Sequence, residues 1–423
     1  MNEPLRRSRK NRVQNVLIVL LSLSAAALFF RTQALPRAAG SSAGFLSGAS
    51  AAQETDVPSA LTGIAAPVRL AVIGAYGRYG SVRLTTADEA FAQPGSLLRM
   101  ALGSAGGAEG CSEEDFRSAL SGTSLYYDFT SVLPLSVLGG FVGAETSAAV
   151  SARRLLLAED GGNAVLYLSD GTQYRRCSTA VSSAELEAAV SAYQLGNAAF
   201  AYELNTQTAL DRYSLLLTGE LPDFPVLSAS PVSGADAQSA QLTALGFNPH
   251  TNSRYTDGGT EVVMDGERTV RLEPDGEVIY RDGSSEPAVH IVAGGQNPTA
   301  PEAVLGAWQL LCAAADGRTG DAALYLRSAT ADGDSWTLTF DYQSDGTPIL
   351  RGNGGVAAQV TLRGTGVTSL SLWARSYTAG KDASLLLPLT QALAVAEAEG
   401  GADLKICYTD SGADAVSAGW VAE

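Results

Sequence analysis

A largely apolar segment near the N-terminus, Val13–Phe30, constrains this chain more than any other stretch. Positive charges lie on both sides of it, at Arg6, Arg7, Arg9, Lys10, Arg12 and Arg31. Its 18 residues would extend about 27 Å as a helix, which is enough to cross the hydrocarbon core of a membrane. Strongly basic flanks tend to remain in the cytoplasm. The sequence therefore predicts a cytoplasmic tail over residues 1–12, a single transmembrane helix over residues 13–30 and an extracytoplasmic location for the bulk of the chain.

A cleaved signal peptide is the alternative interpretation of this segment. Thr32-Gln33-Ala34 places small residues where a signal peptidase could cut. We favour an uncleaved anchor in the cell membrane, because the cleavage site is poor and Arg31 follows the apolar core closely. Under either interpretation the rest of the chain works outside the cytoplasm.

The predicted transmembrane helix carries small side chains that could contact another helix. They are Ser22, Ser24, Ala25 and Ala26. Because lipid gives helices little hydrophobic drive to associate, close packing and side-chain hydrogen bonds decide helix contacts within a membrane. We predict a helix–helix contact at these four residues. The alternative is that Ser and Ala are simply tolerated in an anchor.

Charge is divided by the apolar segment. Residues 1–31 contain six basic residues and one acidic residue, whereas the remainder contains 22 basic and 43 acidic residues. Such an acidic exterior repels nucleic acid and anionic lipid headgroups, so neither is an expected ligand. The four cysteines, at positions 111, 177, 312 and 407, are too widely spaced to indicate a disulfide framework or a zinc site.

The remainder divides into a tether and three folded regions. Residues 31–60 are rich in Ala, Ser and Gly, which predicts a flexible tether. We predict an N-terminal extracytoplasmic α+β domain over residues 61–230, a middle module over residues 231–296 and a C-terminal module over residues 297–423.

Strand and helix signals recur through these regions. Asp-Gly pairs, such as Asp160-Gly161 and Asp170-Gly171, separate short β-branched segments and predict antiparallel hairpins. Ser182 with Glu185, and Thr299 with Glu302, have the spacing of a helix capping box. A unit of one helix followed by strands recurs in the middle and C-terminal modules. The pattern therefore predicts the α+β class, with antiparallel sheets and packed helices.

No motif indicates a catalytic or nucleotide site. Gly74–Gly80 follows a strand, but its GxxGxxG spacing and the strand-like Ser81–Thr85 after it predict a hairpin turn rather than a nucleotide loop. The two histidines, His250 and His290, lie in loop-like surroundings without a nucleophile motif.

Acidic clusters do not indicate a site either. Asp332-Gly333-Asp334 lacks the further ligands of a calcium loop. The run Glu113-Glu114-Asp115 is typical of a solvated helix start. We expect a protein that is not an enzyme and has no cofactor and no metal.

Two stretches of the chain resemble a known family. The first contains Leu245-Gly246-Phe247-Asn248-Pro249, Arg254–Thr260, Leu272, Gly276 and Ile279-Tyr280. The second contains Phe340-Asp341-Tyr342, Asp345–Ile349, Leu386-Leu387-Pro388, Gln391-Ala392-Leu393 and Gly419-Trp420-Val421. With the N-terminal anchor, they resemble the YycH/YycI family of Gram-positive bacteria. The resemblance implies that PepSY-like modules of helix and antiparallel sheet follow the membrane helix.

The resemblance also implies a regulatory function. Members of that family associate with the WalK (YycG)-type sensor histidine kinase and adjust its activity. This kinase belongs to a two-component system that regulates the cell wall. The expected partners are such a kinase, contacted in the membrane and outside it, and a related co-regulator. The alternative is a PepSY-type module that restrains a peptidase or binds an envelope ligand.

Overall fold

A computed structural model describes residues 61–422, apart from residues 62, 147–148, 205–209, 251–252, 293–296 and 401–402. The predicted tail, transmembrane helix and tether, with Ser22, Ser24, Ala25 and Ala26, lie outside the described residues. Within the described ranges, no helix combines the length and the apolar character needed to cross a membrane.

The first half of the described chain forms a seven-stranded antiparallel sheet in the order β2-β1-β4-β5-β6-β7-β3. Its strands are β1 (Arg69–Gly74), β2 (Gly77–Ser81), β3 (Glu109–Cys111), β4 (Ser124–Pro134), β5 (Ser151–Asp160), β6 (Asn163–Ser169) and β7 (Tyr174–Ser182). Tight glycine turns join several of them. Gly161 and Gly162, for example, have positive φ between β5 and β6, a backbone conformation that glycine adopts at little cost.

Both faces of this first sheet are covered. Four helices accompany it: α1 (Glu89–Gly103), α2 (Glu113–Ala119), α3 (Leu135–Phe141) and α4 (Ser183–Ser191). One face packs against α1, α3 and α4. The other packs against α2 and a two-stranded sheet of β8 (Ala198–Phe200) and β9 (Leu215–Leu217). Neighbouring residues such as Tyr126 and Tyr127 point to opposite faces, and both are fully buried.

The second half forms an eleven-stranded sheet. Its central path runs β11-β12-β13-β14-β19-β18-β16-β17-β21-β23, and β15 pairs with β16. Its strands are β11 (Ser253–Asp257), β12 (Thr260–Asp265), β13 (Arg268–Leu272), β14 (Glu277–Asp282), β15 (Ala322–Asp332), β16 (Ser335–Ser344), β17 (Thr347–Arg351), β18 (Ala358–Arg363), β19 (Gly366–Trp373), β21 (Leu404–Asp410) and β23 (Ala418–Ala422). A third sheet joins β20 (Arg375–Ala383), β10 (Pro225–Pro231) and β22 (Ala415–Val416).

Helices cover one face of the second sheet. They are α5 (Ala235–Ala244) and α6 (Ala300–Ala314), while α7 (Leu389–Glu399) packs near β23. Phe247, which follows α5, meets the Tyr280 ring edge-on at 6.2 Å. In α6, Val304 and Leu311 are buried, and the Trp308 indole Nε1 donates a 2.9 Å hydrogen bond to the Leu324 carbonyl.

The α+β prediction is wrong, because the protein is mainly β, with 43% strand and 22% helix. The predicted middle and C-terminal modules do not form separate sheets. Strand β14 of the middle module pairs with β19 of the C-terminal module, so the strands of both modules belong to one sheet. The helices are short covers, and α2 and α3 contain seven residues each. Local periodicity identifies strands, but it does not show how far a sheet continues.

Several local predictions are confirmed. Ser182 and Glu185 form both hydrogen bonds of a capping box at the start of α4. Gly74–Gly80 contains a hairpin turn, but the strand predicted at Ser81–Thr85 is misplaced, since β2 covers Gly77–Ser81.

Candidate protein-binding surface

A largely buried network of ion pairs lies on the first sheet. It consists of Arg69, Asp128, Arg153, Arg154, Asp211 and Asp403. Asp403 lies 3.0 Å from Arg69 and 2.8 Å from Arg153, measured between carboxylate oxygens and guanidinium nitrogens. Arg153 also contacts Asp128 at 3.0 Å. The network joins β1, β4 and β5 to the residue just before β21.

Arginine charges dominate the electrostatics of this network. Burial alone would raise the pKa of the Asp403 carboxyl, but Arg69, Arg153 and a hydrogen bond from the Ser214 hydroxyl lower it well below its usual range. A carboxylate held ionised between two guanidiniums is a poor proton donor or acceptor at neutral pH. Its role is therefore structural.

A second buried cluster joins β20 to β21. The Asp410 carboxylate lies 2.8 Å from Arg375 Nε and accepts a 2.9 Å hydrogen bond from the Tyr377 hydroxyl. Burial is the first cause of the raised pKa of Tyr377, and the charge of Asp410 adds to it. This tyrosine is consequently a neutral donor that fixes the carboxylate.

A shallow depression of about 650 Å³ lies beside β3 and the β6–β7 turn. It is lined by Gly110, Cys111, Glu113, Thr172, Gln173, Tyr174 and Arg175. Burial and the nearby Asp115 charge raise the pKa of the Cys111 thiol. Because the thiolate is the reactive form, this cysteine is not an activated nucleophile.

The histidines and acidic residues that the sequence offers as candidates for catalysis do not lie together. His290 contacts the Thr365 hydroxyl at 3.0 Å and is exposed, as is His250. Glu113 and Asp115 lie in the first turn of α2, where Ser112 and Asp115 form a capping box. Among the described residues, no group of three or more His, Cys, Asp or Glu side chains is arranged to hold a metal ion.

The second sheet, in contrast, leaves part of one face open. We call this part the hydroxyl face. Two rows of side chains, adjacent across seven strands, form it. The first row is Met264, Thr269, Arg281, Ser369, Thr361, Thr337 and Thr330, and the second is Val262, Arg271, Ile279, Ser371, Gln359, Thr339 and Ser328. All of these except Val262 are half-buried or exposed. With strands about 4.8 Å apart, the rows extend about 29 Å.

Regular alternation along the strands produces this face. In β19, Ser369 and Ser371 point outward, while Leu370 and Leu372 are buried in the core. Ser328 and Thr339 are joined across β15 and β16 by a 2.6 Å hydrogen bond between their hydroxyls. The face is therefore a flat array of small polar groups rather than a pocket.

The charge of the hydroxyl face differs from that of the chain as a whole. The chain has a net charge of −16, yet both rows contain arginines and no carboxylate. Arg271 is half-exposed, and its Nε lies 3.6 Å from the Glu273 carboxylate at the margin of the face, which is a loose ion pair. Arg281 is exposed and forms no ion pair with a described carboxylate. Such a face favours a partner that presents acidic groups.

The first strand of this sheet, β11, forms its open edge. All five of its residues are exposed, and Tyr255 is 52% exposed. Tyr255 and the 40% exposed Met264 lie on the same side of the sheet as the hydroxyl face. The edge and the face together form one continuous candidate surface for binding another protein.

The sequence contains a local signal for this surface. The alternation Ser369-Leu370-Ser371-Leu372 distinguishes an open face from a covered one, since a strand covered on both sides is apolar at nearly every position. The pairing that aligns these hydroxyls with those of β18 and β16 is not visible in the sequence.

Comparison of the chain with protein-family models, with curated proteins and with solved structures finds no match.

Proposed function

We propose that this chain is a non-enzymatic, membrane-anchored regulatory protein that binds a sensor histidine kinase of the cell envelope and modulates it. The observation that carries the proposal is the hydroxyl face, an uncovered strip that crosses seven strands of a well-packed sheet. Covered sheets bury both faces, whereas a broad open face remains available to a partner.

The chemistry of the described residues supports a binding role. The strongly shifted carboxyl of Asp403 is held by arginines in the interior, and the half-buried thiol of Cys111 has a raised pKa. An acid–base or nucleophilic site instead needs a group whose pKa is tuned toward the working pH and that faces a substrate. Binding of a protein partner needs only the surface.

The choice of a kinase as partner rests on the resemblance to the YycH/YycI family, and the membrane anchor rests on Val13–Phe30. A partner with two states is biased only by a ligand whose affinity for those states differs. Arg271 and Arg281 would supply that difference if acidic groups of the kinase face them in one state only.

Charge reversal on the face tests this proposal. The variant Arg271→Glu/Arg281→Glu, expressed as the full-length chain in its own membranes, should capture the kinase at least about tenfold more weakly, because like charges then meet across the contact. Arg176→Glu/Arg318→Glu is the control with the same change of net charge, since both arginines lie outside the two rows and have the same exposed fraction as Arg271, 49%.

Photo-crosslinking from position 281 identifies the partner. A histidine kinase is the expected product, and a peptidase or an envelope polymer in its place would support the alternative PepSY-type function. Equal loss of capture in Arg176→Glu/Arg318→Glu would contradict a specific role for the face.

A further inference from the structure

The edge strand β11 has backbone groups that nothing in the described part of the chain pairs. The β11–β12 hairpin turns through Gly258 and Gly259, both with positive φ, and Asp257 closes it opposite Thr260. In a two-residue hairpin that closing pair is hydrogen-bonded, and the bonded pairs then alternate along the strand. The N–H and C=O groups of Arg254 and Thr256 therefore point away from β12.

Other edges are protected in ways that β11 is not. The outward groups of β2 are bonded to the segment before β8: Gly196 N–H donates to the Arg78 carbonyl at 2.8 Å, and Gly80 N–H donates to the Asn197 side chain at 2.7 Å. At the edge of β15, Leu326 N–H donates to the Ile64 carbonyl at 2.7 Å. An edge strand with unpaired outward N–H and C=O groups can pair with another strand.

The sequence of β11 is complementary to itself in one antiparallel register. We propose that β11 pairs with β11 of a second copy of this chain about a twofold axis at Tyr255. Arg254 of each copy then lies opposite Thr256 of the other, so every outward N–H and C=O group gains a partner. The two Tyr255 side chains meet at the centre, where cross-strand aromatic pairs are favourable.

The two neighbouring registers are less favourable, because one places like charges opposite each other and the other leaves backbone groups unpaired. A twofold axis at Arg254 would place two guanidiniums directly opposite each other, which is destabilising. An axis at Thr256 would place Tyr255 opposite Asp257 and leave Arg254 beyond the paired strand. In the Tyr255 register no like charges are directly opposite, and each Arg254 keeps its own Glu261 at 3.1 Å.

The contact is small and the copies repel each other. Five residues a side are fewer than the 20–30 or so of a standard interface, and the chain's net charge is −16, so the dimer is weak in free solution. The membrane anchor of the proposed function would raise their effective concentration by holding both copies in one membrane. The pairing extends the hydroxyl face across two copies, and it does not depend on the identity of the kinase.

Disulfide trapping of the full-length chain tests the register. In a Cys111→Ser background, Tyr255→Cys should give an intermolecular disulfide on mild oxidation, since the Cα atoms of this non-hydrogen-bonded pair would lie about 4.5 Å apart. Asp257→Cys is the matched control on the same strand and face. Its counterpart would lie about 14 Å away, four residues along the partner strand, so it should cross-link about tenfold more slowly.

Three further variants test the register. Mixing Ser253→Cys chains with Asp257→Cys chains should give the mixed dimer, because those residues are opposite in the proposed register. Thr256→Pro removes an outward N–H and should abolish trapping through Tyr255→Cys, whereas Thr256→Val should not. Equal trapping at positions 255 and 257, no trapping at either, or a Tyr255→Cys adduct with a different protein would overturn the pairing with a second copy.

Discussion

The two large sheets of this protein are both built of antiparallel strands, but they are covered differently. In the first, the consecutive residues Leu156 and Leu157 point to opposite faces and both are fully buried. In the second, Leu372 is fully buried, while its neighbour Ser371 is partly exposed on the hydroxyl face. One sheet is an interior layer of the fold, and the other presents a surface.

We expect the two sheets to contribute differently to stability. Burial on both faces and the ion network tie the first sheet to the residue before β21, which stabilises the fold. The open face of the second sheet should contribute little to stability, because its side chains are half-buried or exposed. Stability measurements on the two sheets test this contrast.

The largest effect is expected from removing a charge in the ion network. Asp403→Asn leaves Arg69 buried with one remaining carboxylate, Asp128, at 3.5 Å. Breaking a buried pair by removing one partner costs about 3–5 kcal/mol, because an uncompensated charge stays in the interior. The unfolding free energy in urea measures this loss.

An exposed ion pair gives the matched control. Asp345 lies 3.2 Å from Arg83 and its side chain is 69% exposed. Asp345→Asn should therefore cost no more than about 1 kcal/mol. Similar losses in the two variants would show that burial does not set the strength of the network.

The pH dependence of stability also tests the ion network. The folded pKa of Asp403 is lowered, chiefly by Arg69 and Arg153 acting against burial. Its contribution to stability is thus fully present above the unfolded pKa of about 3.9 and is lost as the pH falls further. The gap in unfolding free energy between the wild type and Asp403→Asn should be constant above about pH 5 and should shrink below about pH 4. A gap that changes between pH 6 and 8 would assign the effect to another group.

Side-chain truncation compares the faces directly. Leu156→Ala and Leu157→Ala should each cost about 2–5 kcal/mol, because each removes a fully buried side chain from a different face of the first sheet. In the second sheet, Leu372→Ala should cost a similar amount, whereas Ser371→Ala should change stability by no more than about 0.5 kcal/mol. A large loss for Ser371→Ala in urea unfolding would mean that the hydroxyl face is covered.

Local chemistry made part of this structure predictable from the sequence. Ser182 with Glu185 specifies a helix start, and Asp160-Gly161 specifies a turn, because both act through neighbouring backbone groups. The contact of Arg69 with Asp403 joins residues 334 positions apart, and no local pattern encodes it. The hydroxyl face depends on both kinds of information. Its alternation is local, but the alignment of its rows comes from the pairing of β14 with β19.

The smallest effect concerns two tyrosine hydroxyls. Tyr126 is fully buried in the first sheet and donates a 3.0 Å hydrogen bond to the Tyr213 carbonyl, whereas Tyr255 at the edge of the second sheet is 52% exposed. Tyr126→Phe removes the donor and should cost about 0.5–1.5 kcal/mol, the net value of one hydrogen bond. Tyr255→Phe should leave the unfolding free energy unchanged, because the exposed hydroxyl of Tyr255 is solvated in the unfolded chain and in the folded chain alike. Tyr127→Phe serves as a second buried control, because that hydroxyl donates to the Pro94 carbonyl at 2.6 Å from the opposite face. If Tyr255→Phe lowers the unfolding free energy as much as Tyr126→Phe, the edge of the second sheet is buried in solution. That result is expected only if β11 is fully paired with another strand under the conditions of the measurement.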